Sequence, residues 1–206
     1  MNELDVERTL TDEWLAFAAA ARPSPDLAVT TVEARGARVT RPIIWAELED
    51  VRLSFAEVHA ALDDAAKAEQ LATTHWSMKD LIAHVASWAA EFRRQIETAA
   101  AGRTFDYLIT FTPRVGPTDW NAREVDRRRA LTLDDHFREL DVETARIQEL
   151  ALTLPDDRLF MTAELPPTPD GLPEHRWRAQ LADLMLRKCF HDRYHLERIR
   201  GLLALE

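Results

Sequence analysis

Two histidines, His191 and His195, lie four residues apart near the end of the chain, and a third, His84, lies far upstream. Side chains at this spacing share one helix face, so the pair can present two ring nitrogens to one ion. Zinc proteases use the same spacing in a His-Glu-x-x-His element, but the residues between these two histidines are Asp-Arg-Tyr, so the glutamate base is missing. A third imidazole from a facing helix would complete a three-histidine site with one coordination position open.

The apolar pattern around these histidines predicts that all three face a helical core. His191 and His195 continue a seam that runs through Ile199 to Leu202, and His84 shares a stripe with Leu81. A buried imidazole needs hydrogen-bond partners or a metal. Each histidine alone is typical of a rim position or a satisfied core residue, and the three together favour a metal site. Four other histidines need not face inward: His59, His75, His136 and His175.

Two polar residues are candidates for catalytic roles beside the metal, and two aromatic residues are candidates for substrate binding. Glu91 follows His84 by two helical turns. It could act as a general base there, or it could have a purely structural role. Asn121 could point its amide at a substrate or could cap a helix, and the sequence leaves both open. Trp88 and Trp120 are the candidates for lining a substrate pocket, although tryptophans are more often core residues.

Three further residues near the histidines have simpler interpretations. Cys189 is two positions from His191 and therefore lies on another helix face, which favours a buried structural thiol over a nucleophile. Asp192 is adjacent to His191, and neighbours in a helix diverge by about 100°. We therefore expect Asp192, like Glu197, to form a surface ion pair with a nearby arginine.

Four amphipathic segments must position these residues, and they predict an all-α fold, a four-helix bundle. Only five glycines in 206 residues agree with a helical chain. Capping residues and stop signals bound the segments. The first begins at Trp45, the second runs from Ser77 to Gly102, the third from Thr132 to Pro155, and the fourth from about Arg178 to Arg200, with Gly201 as its stop.

The connections predict the topology and the domain limits. Residues 103–118 and a short helical piece at Trp120-Asn121 separate helices two and three, which is too long for a hairpin and indicates a crossover. A proline-rich stretch, 164–175, is expected to be a loop. We expect the bundle to span 46–206 and residues 1–45 to form an N-terminal arm or extension, with a hairpin or extended segment over 27–42.

Charge and composition restrict the partners. A formal net charge of −10 argues against general nucleic-acid binding, and the run Arg127-Arg128-Arg129 is typical of a solvated helix face. The start of the chain lacks a signal-peptide pattern, and no apolar run is long enough for a bilayer. A single cysteine permits no internal disulfide. We therefore expect a cytoplasmic protein with no membrane partner; pairing of amphipathic helices would make it a homodimer.

Several motifs together resemble the DinB/YfiT-like superfamily of metalloenzymes. They are Trp76-Ser77-Met78-Lys79-Asp80 with His84 and Trp88, and His191-Asp192-Arg193-Tyr194-His195; Asp119-Trp120-Asn121 is similar to the DfsB-like branch. The likeness covers residues 46 to 203. It implies a four-helix bundle that holds nickel or zinc on His84, His191 and His195.

The resemblance also implies the reaction class. Some relatives transfer low-molecular-weight thiols or isomerise substrates with their help, which makes a metal-dependent thiol transferase or hydrolase acting on a small electrophilic or xenobiotic molecule the leading hypothesis. Other members of the DfsB-like branch lack the metal and protect against reactive compounds, so a non-catalytic binding protein is the alternative. A structural metal that only ties the helices together is the third hypothesis.

Overall fold

Helices make up most of the computed structural model, which describes residues 40–62, 65–73, 75–103, 117–160, 162–165 and 177–205. A two-stranded antiparallel sheet lies between the last two helices. In chain order the elements are α1 (Arg41–Ala61), α2 (Ala65–Ala68), α3 (Met78–Ala100), α4 (Pro117–Arg128), α5 (Leu133–Thr153), α6 (Asp156–Leu159), β1 (Thr162–Leu165), β2 (Trp177–Gln180) and α7 (Leu181–Leu203).

The four long helices α1, α3, α5 and α7 form the predicted bundle. Both α1 and α3 pack against α5 and α7, which places α1 and α3 at opposite corners. Their inward faces merge into one hydrophobic core to which all four helices contribute. The predicted seams are confirmed, because the core contains nearly all of their apolar residues. Examples are Val51 and Phe55 of α1, Leu81 of α3 and Ile147 of α5, all buried.

Ion pairs between helices give the direction of each helix. Arg93 of α3 pairs with Glu143, and Glu97 one turn later pairs with Arg146 at 3.3 Å, so α3 and α5 run parallel. Parallel neighbours need a connection that returns along the whole bundle. The predicted crossover between helices two and three is therefore confirmed, and α4 lies within it.

The other two directions follow from similar contacts. His59, near the end of α1, bonds Asp134 at the start of α5 at 2.8 Å, so these helices are antiparallel. The guanidinium of Arg198, late in α7, donates to the carbonyl of Ala72, which precedes α3, at 2.6 Å. The helices α3 and α7 are therefore antiparallel, and His84 faces the middle of α7.

Capping residues fix the start of the two helices in the parallel pair. The Ser77 side chain accepts a hydrogen bond from the Asp80 amide, and the Asp80 carboxylate accepts one from the Ser77 amide. Thr132 and Asp135 make the same reciprocal pair before α5. These capping boxes satisfy amide groups that a helix start otherwise leaves unbonded. Gly102 ends α3 with a φ of +68°, as predicted.

Helix α1 begins earlier than the sequence indicated. It begins at Arg41 instead of Trp45, because Pro42 occupies its first turn, where a missing amide hydrogen costs nothing. The Arg41 side chain donates to the Leu154 carbonyl at 2.6 Å, joining this end of α1 to the end of α5. The division at residue 45 stays a prediction, and the proposed arm lies almost entirely outside the described residues.

The last helix and the segment before it also differ from expectation. The predicted loop over 164–175 overlaps β1, which pairs antiparallel with β2, from Thr162 opposite Gln180 to Leu165 opposite Trp177. Helix α7 begins at Leu181 and continues through Gly201 to Leu203, so Gly201 is not its stop. Instead Ala204 adopts the left-handed conformation, with φ of 52°. Leu202, predicted to lie on the seam, is partly exposed.

No helix in the described part of the chain is both long and apolar enough to cross a membrane.

Replacing Ser77 with Ala removes one half of the capping box before the helix that carries His84. We expect the free energy of unfolding to fall by about 1 kcal/mol, the usual cost of losing an N-cap. Urea denaturation of the variant measures this. Glu69→Ala, at an exposed turn position, is the control and should unfold like wild type. Equal stability of the Ser77→Ala variant would show that the cap contributes nothing.

Candidate metal centre

The three predicted ligands come together where α3 faces α7. One potential ligand atom from each of His84, His191 and His195 lies within 4.8 Å of the others. The Nε2 atoms of His84 and His191 are 3.4 Å apart. The His195 ring centroid lies 4.8 Å from that of His84 and 4.7 Å from that of His191. Two consecutive turns of α7 and one position on α3 therefore build the cluster.

Burial keeps two of the three histidines neutral. His84 and His195 are each less than a tenth exposed, while His191 is partly exposed. Burial lowers the pKa of His84 well below its ordinary value of about 6.5, and the adjacent His191 lowers it further. Burial also lowers the pKa of His195 well below that value, with added repulsion from His191, His84 and Arg198. A neutral imidazole keeps the lone pair that a metal needs.

The donor set fits a divalent ion. Two imidazole nitrogens bound to one tetrahedral zinc are roughly 3.4 Å apart, given metal–nitrogen bonds of about 2.0–2.1 Å. The two Nε2 atoms of His84 and His191 already have this separation. Among the described residues, Nδ1 of His84 and Nδ1 of His195 have no hydrogen-bond partner although both are buried. A cation bound through one nitrogen of each ring would offset part of the cost of keeping these imidazoles in the core.

A carboxylate orients the partly exposed ligand. Oδ1 of Asp192 lies 3.0 Å from Nδ1 of His191, on the side of the ring away from His84. Oδ2 of the same carboxylate lies 2.6 Å from Nζ of Lys188, and both of these side chains are fully buried. The expected surface ion pair of Asp192 with an arginine is therefore wrong. The side chain turns back along the helix to a lysine one turn earlier.

Aromatic rings surround the histidines on the α3 and α4 sides. The Trp76 ring centroid lies 5.2 Å from that of His84, and the Trp88 centroid lies 5.5 Å from that of His191. Trp120 packs edge-on against Trp88 at 4.8 Å. The two candidate pocket tryptophans are thus in contact with each other, and Trp88 also contacts a predicted ligand.

Asn121 belongs to the same group of side chains. Its Oδ1 accepts a hydrogen bond from Nε1 of Trp88 at 2.9 Å. Because an indole nitrogen can only donate, this bond fixes the orientation of the carboxamide and leaves Nδ2 as a donor for another group. Asn121 lies inside α4, which runs from Pro117 to Arg128, so it does not cap that helix.

Glu91 is buried and carries an ion pair. Its carboxylate accepts hydrogen bonds from Nε and Nη2 of Arg94 at 2.8 and 2.6 Å, and from Gln95 at 2.7 Å. The next residue, Phe92, has its ring centroid 6.2 Å from that of His191. Glu91 therefore lies on the same stretch of α3 as the aromatic residues around the site, with its charge held by Arg94.

Other predictions around the site have mixed outcomes. Cys189 is buried, and burial raises the pKa of its thiol to about 12, which confirms a structural role. His136 is completely buried, contrary to the expectation that it need not face inward. It precedes Leu140 and Thr144 by one and two turns, and this spacing was the available signal. Arg128 is also buried, between Glu124 and Glu139, so the basic run is not wholly solvated.

The remaining histidines do not join the cluster. His59 pairs with Asp134 and stacks on Phe137, with ring centroids 4.2 Å apart. His75 is exposed, and His175 lies outside the described residues. Among the described residues, His84, His191 and His195 form a group of three side chains that could hold one metal ion.

Comparison with known proteins agrees with this scaffold. The family model described as the mycothiol maleylpyruvate isomerase N-terminal domain matches residues 48–187, more than half of the chain. The match includes His84, Trp88 and Asn121, and it ends before His191 and His195. Neither the curated proteins nor the solved structures contain a match to this chain.

Acid should destabilise the metal-free protein. The folded state holds His84, His136 and His195 with lowered pKa values, so below about pH 6.5 the unfolded chain binds more protons than the folded one. Stability should therefore be full above that pH and should fall as the pH drops, by up to about 1.4 kcal/mol per unit for each group. Urea denaturation at pH 7.5 and 5.5, after chelation, measures this.

Two variants check the source of this pH dependence. His195→Leu and His136→Leu each remove one buried imidazole with a lowered pKa, and each should reduce the dependence. Equal stability of the wild-type protein at both pH values would contradict the assigned burial.

The metal content of the purified protein tests directly whether the three histidines bind an ion. We expect nearly stoichiometric nickel or zinc in tag-free wild-type protein by plasma mass spectrometry, and loss of the metal in His84→Ala and His191→Ala. His59→Ala is the matched control and should keep the metal. Circular dichroism should show intact helices in all variants. Metal retained in His191→Ala would contradict the assignment.

Proposed function

We propose that this chain, which belongs to the family of the mycothiol maleylpyruvate isomerase N-terminal domain, is a metal-dependent thiol transferase acting on a small electrophilic molecule. The ion, nickel or zinc, would be held by His84, His191 and His195. The observation that supports this most strongly is the convergence of three imidazoles from two facing helices inside a bundle core. Family membership favours a low-molecular-weight thiol as the co-substrate.

The donor set suits this chemistry. A divalent ion on three neutral imidazoles supplies Lewis acidity and lowers the pKa of a thiol or water that it binds, so that a nucleophile exists near neutral pH. The protein's own part is to hold His84 and His195 neutral through burial and to orient His191 through Asp192.

We assign substrate binding to the aromatic side chains beside the histidines and to the neighbouring asparagine. Trp88, which is partly exposed, and Trp120, which is buried, form an edge-on pair, and the Trp88 ring lies beside His191. Asn121, fixed by its hydrogen bond to Trp88, offers Nδ2 as a donor to a carbonyl or carboxylate of the electrophile. This combination suits a small planar or unsaturated acid better than a purely apolar compound.

Glu91 is our candidate for the proton acceptor. When a thiol adds to an unsaturated acid, a carbon–sulfur bond forms as the carbon–carbon π bond breaks, the thiol proton passes to a base, and the neighbouring carbon takes up a proton. Glu91 is buried and lies one residue before Phe92, which contacts His191. Its carboxylate is held in place by hydrogen bonds from Arg94 and Gln95. Replacement by glutamine separates the catalytic role from a purely structural one.

One observation supports a second candidate function. The family match ends at residue 187, so it covers the scaffold and His84 but neither His191 nor His195. A non-catalytic protein that binds and sequesters a reactive small molecule would need only the aromatic side chains beside the histidines.

Hydrolysis of the electrophile by metal-activated water is the alternative reaction at the same centre. A cytoplasmic location and a homodimer stay predictions.

Turnover tests the proposed function. Metal-loaded wild-type protein, mixed with mycothiol or another low-molecular-weight thiol and a panel of unsaturated acids, should consume thiol and form an adduct or isomer detectable by mass spectrometry. His191→Ala should abolish this, and Glu91→Gln should lower kcat about 100-fold or more while keeping the metal. His59→Ala should match wild type. Ligand binding without conversion by metal-loaded protein would instead support sequestration.

A further inference from the structure

A buried polar chain leads from α5 to Nδ1 of His191, the ring nitrogen on the side away from His84. Nζ of Lys188 lies 2.6 Å from Oγ1 of Thr144 and 2.6 Å from Oδ2 of Asp192. Oδ1 of Asp192 lies 3.0 Å from Nδ1 of His191, whose Nε2 faces His84. Four residues on two helices thus form one continuous set of contacts that ends on a predicted ligand.

The free-energy cost of burying the Lys188–Asp192 ion pair indicates that the pair does more than fill the core. Lys188 and Asp192 are both fully buried, although lysine and aspartate are rarely found without solvent. A buried ion pair seldom stabilises a fold more than apolar residues of the same size would. Leucine or methionine at position 188 would continue the seam of α7 at no such cost. The pair is therefore poorly explained as a packing device.

Hydrogen-bond roles along the chain allow one arrangement of protons. The Thr144 hydroxyl donates to the Leu140 carbonyl at 2.7 Å, so Oγ1 accepts from Lys188. The lysine can only donate, and the aspartate paired with it can only accept. His191 must then carry its proton on Nδ1, which leaves the lone pair on Nε2, the nitrogen that faces His84.

We propose that Lys188 and Thr144 are positioning residues that act through Asp192 to fix the orientation and tautomer of His191, so that Nε2 is presented to a metal ion. Lys188 holds the carboxylate in place from one side, and Thr144 holds the ammonium against α5. The inference deepens the proposed metal site, since it concerns one of its ligands, but it is independent of the reaction. Partners of this kind typically change metal affinity about 10- to 100-fold.

The metal-free protein gives the first readout. In a long-range ¹⁵N–¹H correlation spectrum of the histidine side chains, His191 should have the Nδ1–H tautomer in the wild type. Lys188→Met keeps the length of the side chain and removes its charge, and should convert His191 to a mixture of tautomers. Thr144→Val removes only the hydroxyl and should cause a smaller change in the same direction. Because no ion is present, failure of the metal assignment does not affect this result.

Zinc affinity gives the second readout, measured by competition with a chelator. We expect it to fall about 10- to 100-fold in Lys188→Met and less in Thr144→Val. If Lys188→Met does not fold, the nearly isosteric Thr144→Val still tests the chain of contacts. If no zinc binds even to the wild type, the metal site is wrong while the tautomer result still decides whether Lys188 orients His191.

Two matched controls separate positioning from stability. Thr98→Val removes a hydroxyl that donates to the carbonyl four residues earlier, as Thr144 does, but contacts Arg94 on α3. Arg41→Met removes a partly buried cation that joins α1 to α5. Both should keep the His191 tautomer and the zinc affinity, although Arg41→Met should melt earlier. An Nε2–H tautomer in the wild type, or an unchanged tautomer in Lys188→Met, would overturn the proposal.

Discussion

The cost of burying polar groups constrains the middle of this bundle. Imidazoles, a lysine and an aspartate occupy positions on α3 and α7 that an ordinary bundle would fill with leucine. Each group must therefore find a partner inside the protein. The contacts observed for His191, Asp192 and Lys188 meet this requirement, and the facing nitrogens of His84 and His191 are arranged so that a cation would meet it further. Burial of these polar groups costs free energy of folding. The same burial keeps the imidazoles of His84 and His195 neutral, so that they can bind a metal.

The topology makes this cluster possible. Because α3 and α5 run parallel and α7 runs antiparallel to α3, the middle of α7 lies against the first half of α3, where His84 is located. The crossover that the parallel pair requires contains α4, which brings Trp120 and Asn121 to Trp88. The crossover between α3 and α5 therefore both permits their parallel arrangement and places aromatic and amide side chains beside the histidines.

Much of this could be predicted from periodic features of the sequence. The four-residue spacing of His191 and His195, the seams and the reciprocal caps depend on local geometry, which a single sequence shows. Asp192 could not be placed in this way, because backbone direction alone points it away from His191 and only the side-chain torsions bring it back. The β1–β2 pair joins segments separated by a proline-rich stretch, and such pairing leaves little local signal. The burial of His136 and Lys188 followed visible spacings, but the contact of Lys188 with Thr144 joins two helices that are far apart in the sequence.

Zinc K-edge X-ray absorption of the zinc-loaded protein tests the central claim most directly, because it measures the ligands and not merely the presence of metal. The account predicts about three imidazole nitrogens at about 2.0–2.1 Å, with the multiple scattering typical of histidine rings. A spectrum with oxygen ligands only, or with a single histidine, would contradict a centre built from His84, His191 and His195.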